Sequence, residues 1–257
     1  IRECVVRVAK LKPAAIMVDD DFRVMGGRNG CLCPLHLAKL KRDFGYDFTR
    51  ERLKKHLAGS SELDKKISVA AMKVNGDSLV ELAKIIRETI DSVDPTIPCL
   101  MCGSPADMMH DGKIASALAA KGQPSVLRIG NARYYNPKCR DLYFTARQLV
   151  VQNAAAKPDR VYAEIDTYPR NRYFTSARTL HAGLVVSILE GASGAKYWPN
   201  RFVDYEPKSG EAYKKILAGN RGMYDEILRC FRRSKRVGLT EIVAPSFTTL
   251  RRGETLQ

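Results

Sequence analysis

The chain has 257 residues, 45% of them hydrophobic, which is enough for one large domain or two small ones built on a real core. No apolar run reaches the roughly 18 residues of a membrane span, and the opening IRECVVRVAKLKP lacks the apolar core and cleavage site of a secretory leader. The 43 Lys and Arg against 28 Asp and Glu give a net charge of +15, but the basic residues are spread widely and no DNA- or RNA-binding signature accompanies them, so nucleic acid is not the expected partner.

In chain order, Arg2–Leu11 reads as a helix leading into the first strand, 14–18 (AAIMV), which ends in Asp19-Asp20-Asp21. Cys33–Phe44 has apolar residues at helical spacing, and the alternation of Arg50, Arg52, Lys54 and Lys55 fits a solvated helix face. Ser78–Val93 carries the amphipathic stripe Leu79, Leu82, Ala83, Ile86 and Ile90. Just before it, Gly76-Asp77-Ser78-Leu79 spells an esterase-like motif, read here as the opening of that helix, where Asp and Ser cap naturally. Four more strand-length runs follow at 98–102, 125–129, 161–165 and 195–198. Helical patterns at 114–120, 145–156 and 175–190 separate them, and a longer one at 211–233 breaks near Gly219 and Gly222. Strand and helix alternating at this spacing predict parallel strands joined by right-handed crossovers.

The expected fold is therefore α/β. Five strands do not close an eight-stranded barrel, so the chain is read as the later strands of a parallel (β/α) barrel over residues 1–235, with earlier strands upstream and 236–257 a linker or the start of a further element. The rival is a small doubly wound open sheet, but no G-x-G-x-x-G follows the first strand. The chain also opens without Met, as an excised or processed segment would. Seven cysteines leave at least one thiol unpaired, which suits reduced thiols and a cytoplasmic protein.

In a parallel barrel the chemistry sits at the carboxyl ends of the strands. Two of these ends are acidic, Asp19-Asp20-Asp21 and Glu164-Ile165-Asp166. Strand alternation sends Asp19 and Asp21 to one face and Asp20 to the other. Cleavage of a glycosidic bond needs such a pair, one carboxyl protonated and one ionised. The plainer reading is a helix cap or a buried pair with Arg23. Trp198, the only Trp, ends the last strand, where it could stack on the apolar face of a sugar or fill the core. Tyr168, Tyr173 and Tyr197 could extend that wall. Arg residues recur at strand ends, among them Arg23, Arg128 and Arg170, and suit either an anionic glycan or the acidic strand ends themselves. Cys31, Cys33 and His36 form C-x-C-x-x-H after the first strand, three potential ligands for one tetrahedral metal or else free thiols at a helix start. Cys99 and Cys102 sit three apart on a strand and face opposite ways, which removes them as a metal or redox pair.

Four segments in this order, IMVDDDFR, GCLCPLHLAKLKRDFG, YAEIDTYPRNRYFTSA and GAKYW, resemble the barrel of a glycoside hydrolase near the family 42 β-galactosidases, over most of residues 12–202. The resemblance implies an acid/base at the end of the fourth barrel strand and a nucleophile at the end of the seventh. These roles map onto Asp20 or Asp21 and onto Glu164, with Asp19, Arg23, Asp166, Tyr168, Arg170 and Trp198 around the substrate. It implies a retaining mechanism, which needs the two carboxyls roughly 5–5.5 Å apart. It also implies a structural zinc at Cys31, Cys33 and His36, and no cofactor for the reaction itself. The chain departs from the family in carrying Asp-Asp where the family has Asn-Glu. The expected partner is a carbohydrate, an anionic one included, with no membrane and with self-association open. The alternative is a non-catalytic carbohydrate- or polyanion-binding protein on the same scaffold.

Overall fold

Five short runs of apolar residues form strands, and all of them pair in parallel. They are β1 (Ile16–Val18), β2 (Cys99–Cys102), β3 (Val126–Ile129), β4 (Arg160–Asp166) and β5 (Gly194–Trp198). The structure, a computed structural model, describes residues 1–19, 22–24, 30–103, 108–132, 141–170, 174–198, 208, 210–233 and 237. The strand order in the sheet is the order in the chain, β1 to β5. A doubly wound sheet would reverse direction at a switch point and place helices on both faces. Here each crossover continues the same way, and the sheet curls into a half-barrel.

Nine helices accompany the strands among the described residues: α1 (Arg2–Lys10), α2 (Pro34–Phe44), α3 (Arg50–Ala58), α4 (Glu62–Asp91), α5 (Met108–Leu118), α6 (Leu142–Ala156), α7 (Ala177–Leu189), α8 (Glu211–Gly219) and α9 (Arg221–Arg233). The main core lies between the sheet and this layer. Cys99 and Met101 of β2, Leu127 and Ile129 of β3, and Val161, Ala163 and Ile165 of β4 bury themselves against Leu79, Ile90, Leu118, Leu149, Leu184 and their neighbours. Because side chains alternate along a strand, the other residues of each strand face the concave side. The sheet thereby sorts its side chains into a core set and a site set.

The segment between β1 and β2 differs from expectation. The 78–93 stripe is only the second half of α4, which runs for 30 residues from a Ser61–Asp64 capping box. Its first half builds a second core with α2 and α3, in which Leu40, Leu53, Ile67, Ala70 and Val74 are buried. Gly76-Asp77-Ser78 therefore sits inside a helix instead of opening one. Ser78 satisfies itself by donating to the Val74 carbonyl at 3.0 Å. Gly76 is required because the His110 ring packs there: a Cβ would stand 2.1 Å from Nδ1. The break expected near Gly219 is observed, between α8 and α9 at Asn220. No helix among the described residues is long and apolar enough to cross a membrane.

Candidate functional site at the strand ends

The parallel register aligns the concave-facing residues into one patch. Cys102 pairs with Arg128, Arg128 with Tyr162, Glu164 with Lys196 and Asp166 with Trp198. Met17 pairs with Leu100, two residues before Cys102, so Asp19 just past β1 shares this face. At the carboxyl ends these side chains enclose a cleft of about 110 Å³, lined by Asp19, Arg128, Glu164, Asp166, Lys196 and Trp198, with Arg170 at its side. Three carboxylates and three cations thus share one small space.

Arg128 lies at the base, its side chain 2% exposed. A guanidinium so deeply buried requires anionic partners, because the cost of desolvating it is otherwise prohibitive. Two carboxylates supply them. Glu164 Oε2 is 3.2 Å from Nη1, and Asp19 Oδ1 is 3.6 Å from Nη2. One planar cation therefore bridges the ends of β1 and β4, and it favours the ionised form of both acids. Lys196 from β5 adds a second cation, donating to Asp19 Oδ1 at 3.3 Å and lying 3.7 Å from Cys102 Sγ.

The backbone at Glu164 is held separately. Its N–H donates to Asn131 Oδ1 at 2.9 Å, just beyond the end of β3, and Asn131 Nδ2 donates to Ser187 Oγ of α7 at 3.1 Å. Asn131 is 2% exposed, so this bond is sheltered and ties the strand end to the helix layer.

Asp166 plays a different part. Its side chain is 4% exposed and both oxygens are engaged: Tyr168 N–H donates to Oδ1 at 2.8 Å and Arg170 Nη2 to Oδ2 at 2.6 Å. That clasp shapes the turn after β4, where Tyr168-Pro169 is cis and Arg170 has φ 65°. The Arg170 guanidinium then lies over the Trp198 ring, 3.9 Å from its centroid, and 5.5 Å from that of Tyr168. One face of the Trp is therefore covered by a cation.

The structure thus brings together Asp19, Glu164, Asp166, Arg170 and Trp198, with Tyr168 beside them. Arg23 is exposed and does not line the cleft. Asp20 and Asp21 lie outside the described residues, as does Tyr173. Sequence reasoning passed over Lys196 and Asn131, and it gave Arg128 no specific partner. The available signal was a charged residue inside each of two otherwise apolar strands, SVLRI and AKYW, since a buried charge must find a counter-charge.

Cys31, Cys33 and His36 do converge, their ligand atoms all within 4.8 Å of one another. Cys33 caps α2, and its Sγ lies 3.1 Å from His36 Nδ1. That hydrogen bond draws the Cys33 thiol down to about 6, and His36 Nε2 is buried without a partner. Cys31 N–H donates to Asn75 Oδ1 at 2.9 Å, tying the loop to α4. Zinc bonds of about 2.0–2.3 Å place tetrahedral ligands roughly 3.3–3.8 Å apart; the Cys33–His36 pair at 3.1 Å is close to that spacing, while the set as a whole extends to within 4.8 Å. Cys99 and Cys102 do face opposite ways: Cys99 is in the core, where burial pushes its thiol up to about 11, and Cys102 faces the cleft.

No protein-family model matches the chain, and no match emerges among curated proteins or solved structures. The fold and the site define an α/β protein with a parallel half-barrel and a charged cleft at its strand ends.

Proposed function

We propose that the chain is the later part of an eight-stranded barrel of the glycoside hydrolase type, near the family 42 β-galactosidases, and that its cleft cleaves a glycosidic bond. The observation that carries this reading is the convergence of Glu164 and Asp19 on one buried guanidinium at the carboxyl ends of parallel strands. A nucleophilic carboxylate must be ionised at the anomeric carbon. Glu164, fixed by Arg128 through its side chain and by Asn131 through its backbone, suits that role.

Asp19, flanked by Arg128 and Lys196, suits an ionised group better than a proton donor. The acid is therefore assigned to Asp20 or Asp21, with Asp19 orienting the strand end. A retaining course follows from the resemblance. A structural zinc on Cys31, Cys33 and His36 belongs to the same reading, as does a reducing, cytoplasmic setting for the free thiols. The three cations of the cleft favour, as a second reading, a protein that binds a carbohydrate or polyanion without cleaving it.

Glycan hydrolysis by the full-length protein separates the two. Glu164→Gln removes the carboxylate while keeping its shape. It is expected to lower kcat by at least about a thousandfold, the scale on which transition-state charge stabilisation acts, with glycan affinity retained. Hydrolysis at the wild-type rate in Glu164→Gln rejects Glu164 as the nucleophile, and absence of hydrolysis across a broad glycan panel by the wild type rejects the enzyme.

A further inference from the structure

We propose that Lys196 and Arg170 form a subsite for an anionic substituent, a carboxylate or a sulfate, so that the cleft takes an acidic sugar rather than a neutral one. This deepens the glycosidase reading and rests on it. The argument begins with a count of donors and acceptors on the cleft wall. An ammonium offers three N–H donors and a guanidinium five. Lys196 is 29% exposed, and its described partners are Asp19 at 3.3 Å and the weak acceptor Cys102 Sγ at 3.7 Å. Arg170 spends Nη2 on Asp166, while its Nε–H is shielded from solvent and meets no acceptor.

Acceptor capacity on the same wall is already committed. Both oxygens of Asp166 are engaged by groups of its own turn. Each of the three cleft carboxylates already holds a cation, and the N–H groups of Lys196 and Arg170 not spent on them are complementary to a ligand group that only accepts. A carboxylate or sulfate is such a group, and a planar guanidinium is shaped to meet it.

The aromatic platform points the same way. Trp198 would ordinarily offer a face to the apolar side of a neutral sugar, but Arg170 occupies a face at 3.9 Å. Stacking on the ring keeps the guanidinium plane oriented at the side of the cleft. The net charge of +15 over the whole chain raises the local concentration of anionic ligands as well.

Matched ligand pairs test this: oligouronides against their methyl esters, and sulfated oligosaccharides against desulfated ones, each made with non-cleavable thioglycosidic linkages and titrated calorimetrically into the wild-type full chain. One acidic series is expected to bind at least about tenfold more tightly than its neutral counterpart, as charge-assisted hydrogen bonds allow. Which series does so distinguishes carboxylate from sulfate. Lys196→Met and Arg170→Gln should each reduce that preference at least threefold. Lys196→Met guards against misfolding as the explanation, since that side chain is partly exposed, and circular dichroism checks both variants.

Equal binding of acid and neutral forms overturns the proposal, as does a preference that survives both substitutions or an absence of binding to either series. A preference retained by a wild type that hydrolyses no glycan supports the subsite and removes the glycosidase reading. Hydrolysis of neutral glycans without any acidic preference does the reverse.

Discussion

Arg128 organises the cleft because it meets carboxylates from two strand ends. With 2% of its side chain exposed, it must be neutralised where it stands, and Glu164 and Asp19 do so from strands that never pair with each other. Removing one partner from such a buried arrangement typically costs about 3–5 kcal/mol, since the remaining charge stays buried. The second charged centre lies in the loop before α2. The His36 hydrogen bond draws the Cys33 thiol down to about 6, toward the thiolate that a metal requires. We therefore expect about one zinc per chain by elemental analysis of protein purified without added metal. A metal-free, fully folded protein whose Cys31 and Cys33 alkylate freely would remove the zinc. A fourth ligand, required to close a tetrahedral structural site, is not among the clustered described residues.

At the scale of elements, the helix layer is held at close range by small residues. Gly112 of α5 packs against the last turn of α6, where a Cβ would stand 1.8 Å from the Ala156 carbonyl oxygen. The obstacle is backbone, so the helices must separate to admit even a methyl group. Gly112→Ala is expected to destabilise by about 1–3 kcal/mol, read as a lower midpoint in urea with an unchanged slope. An unchanged midpoint would mean that α5 and α6 do not pack this closely.

The elements also show where periodicity succeeds. Strands 98–102, 125–129 and 161–165 were legible because short, mainly apolar runs bounded by turn residues have few other readings. The first half of α4 was not, because its buried residues Ile67, Ala70 and Val74 face α2 and α3 rather than the sheet. A stripe that serves two cores at different angles loses its single phase.

For the whole molecule, the sequential strand order leaves two edges among the described residues. β2, β3 and β4 are paired on both sides, whereas β1 and β5 are each paired on one side among the described residues. Native-state hydrogen exchange should therefore be slowest at Met101, Leu127 and Ala163. The amides of β1 and β5 should exchange on the order of 100-fold faster. Uniform protection across all five strands would show that further strands cover those edges, as a closed barrel requires.

Composition and periodicity by themselves determined the α/β class, the parallel strands and the acidic strand ends, because these follow from local patterns and from general rules of chain connection. They also marked Cys31, Cys33 and His36, which are close in sequence and so are brought close by one loop and one helix turn. What only the tertiary structure decided was partnership across the sheet. Register set Glu164 beside Lys196 and Arg128 within reach of both β1 and β4. It likewise engaged both oxygens of Asp166 within its own turn and laid Arg170 over Trp198. Strand alternation tells which residues can share a face, but which charges meet on that face depends on stagger and burial between segments up to 177 positions apart, and nothing local in the chain encodes that distance.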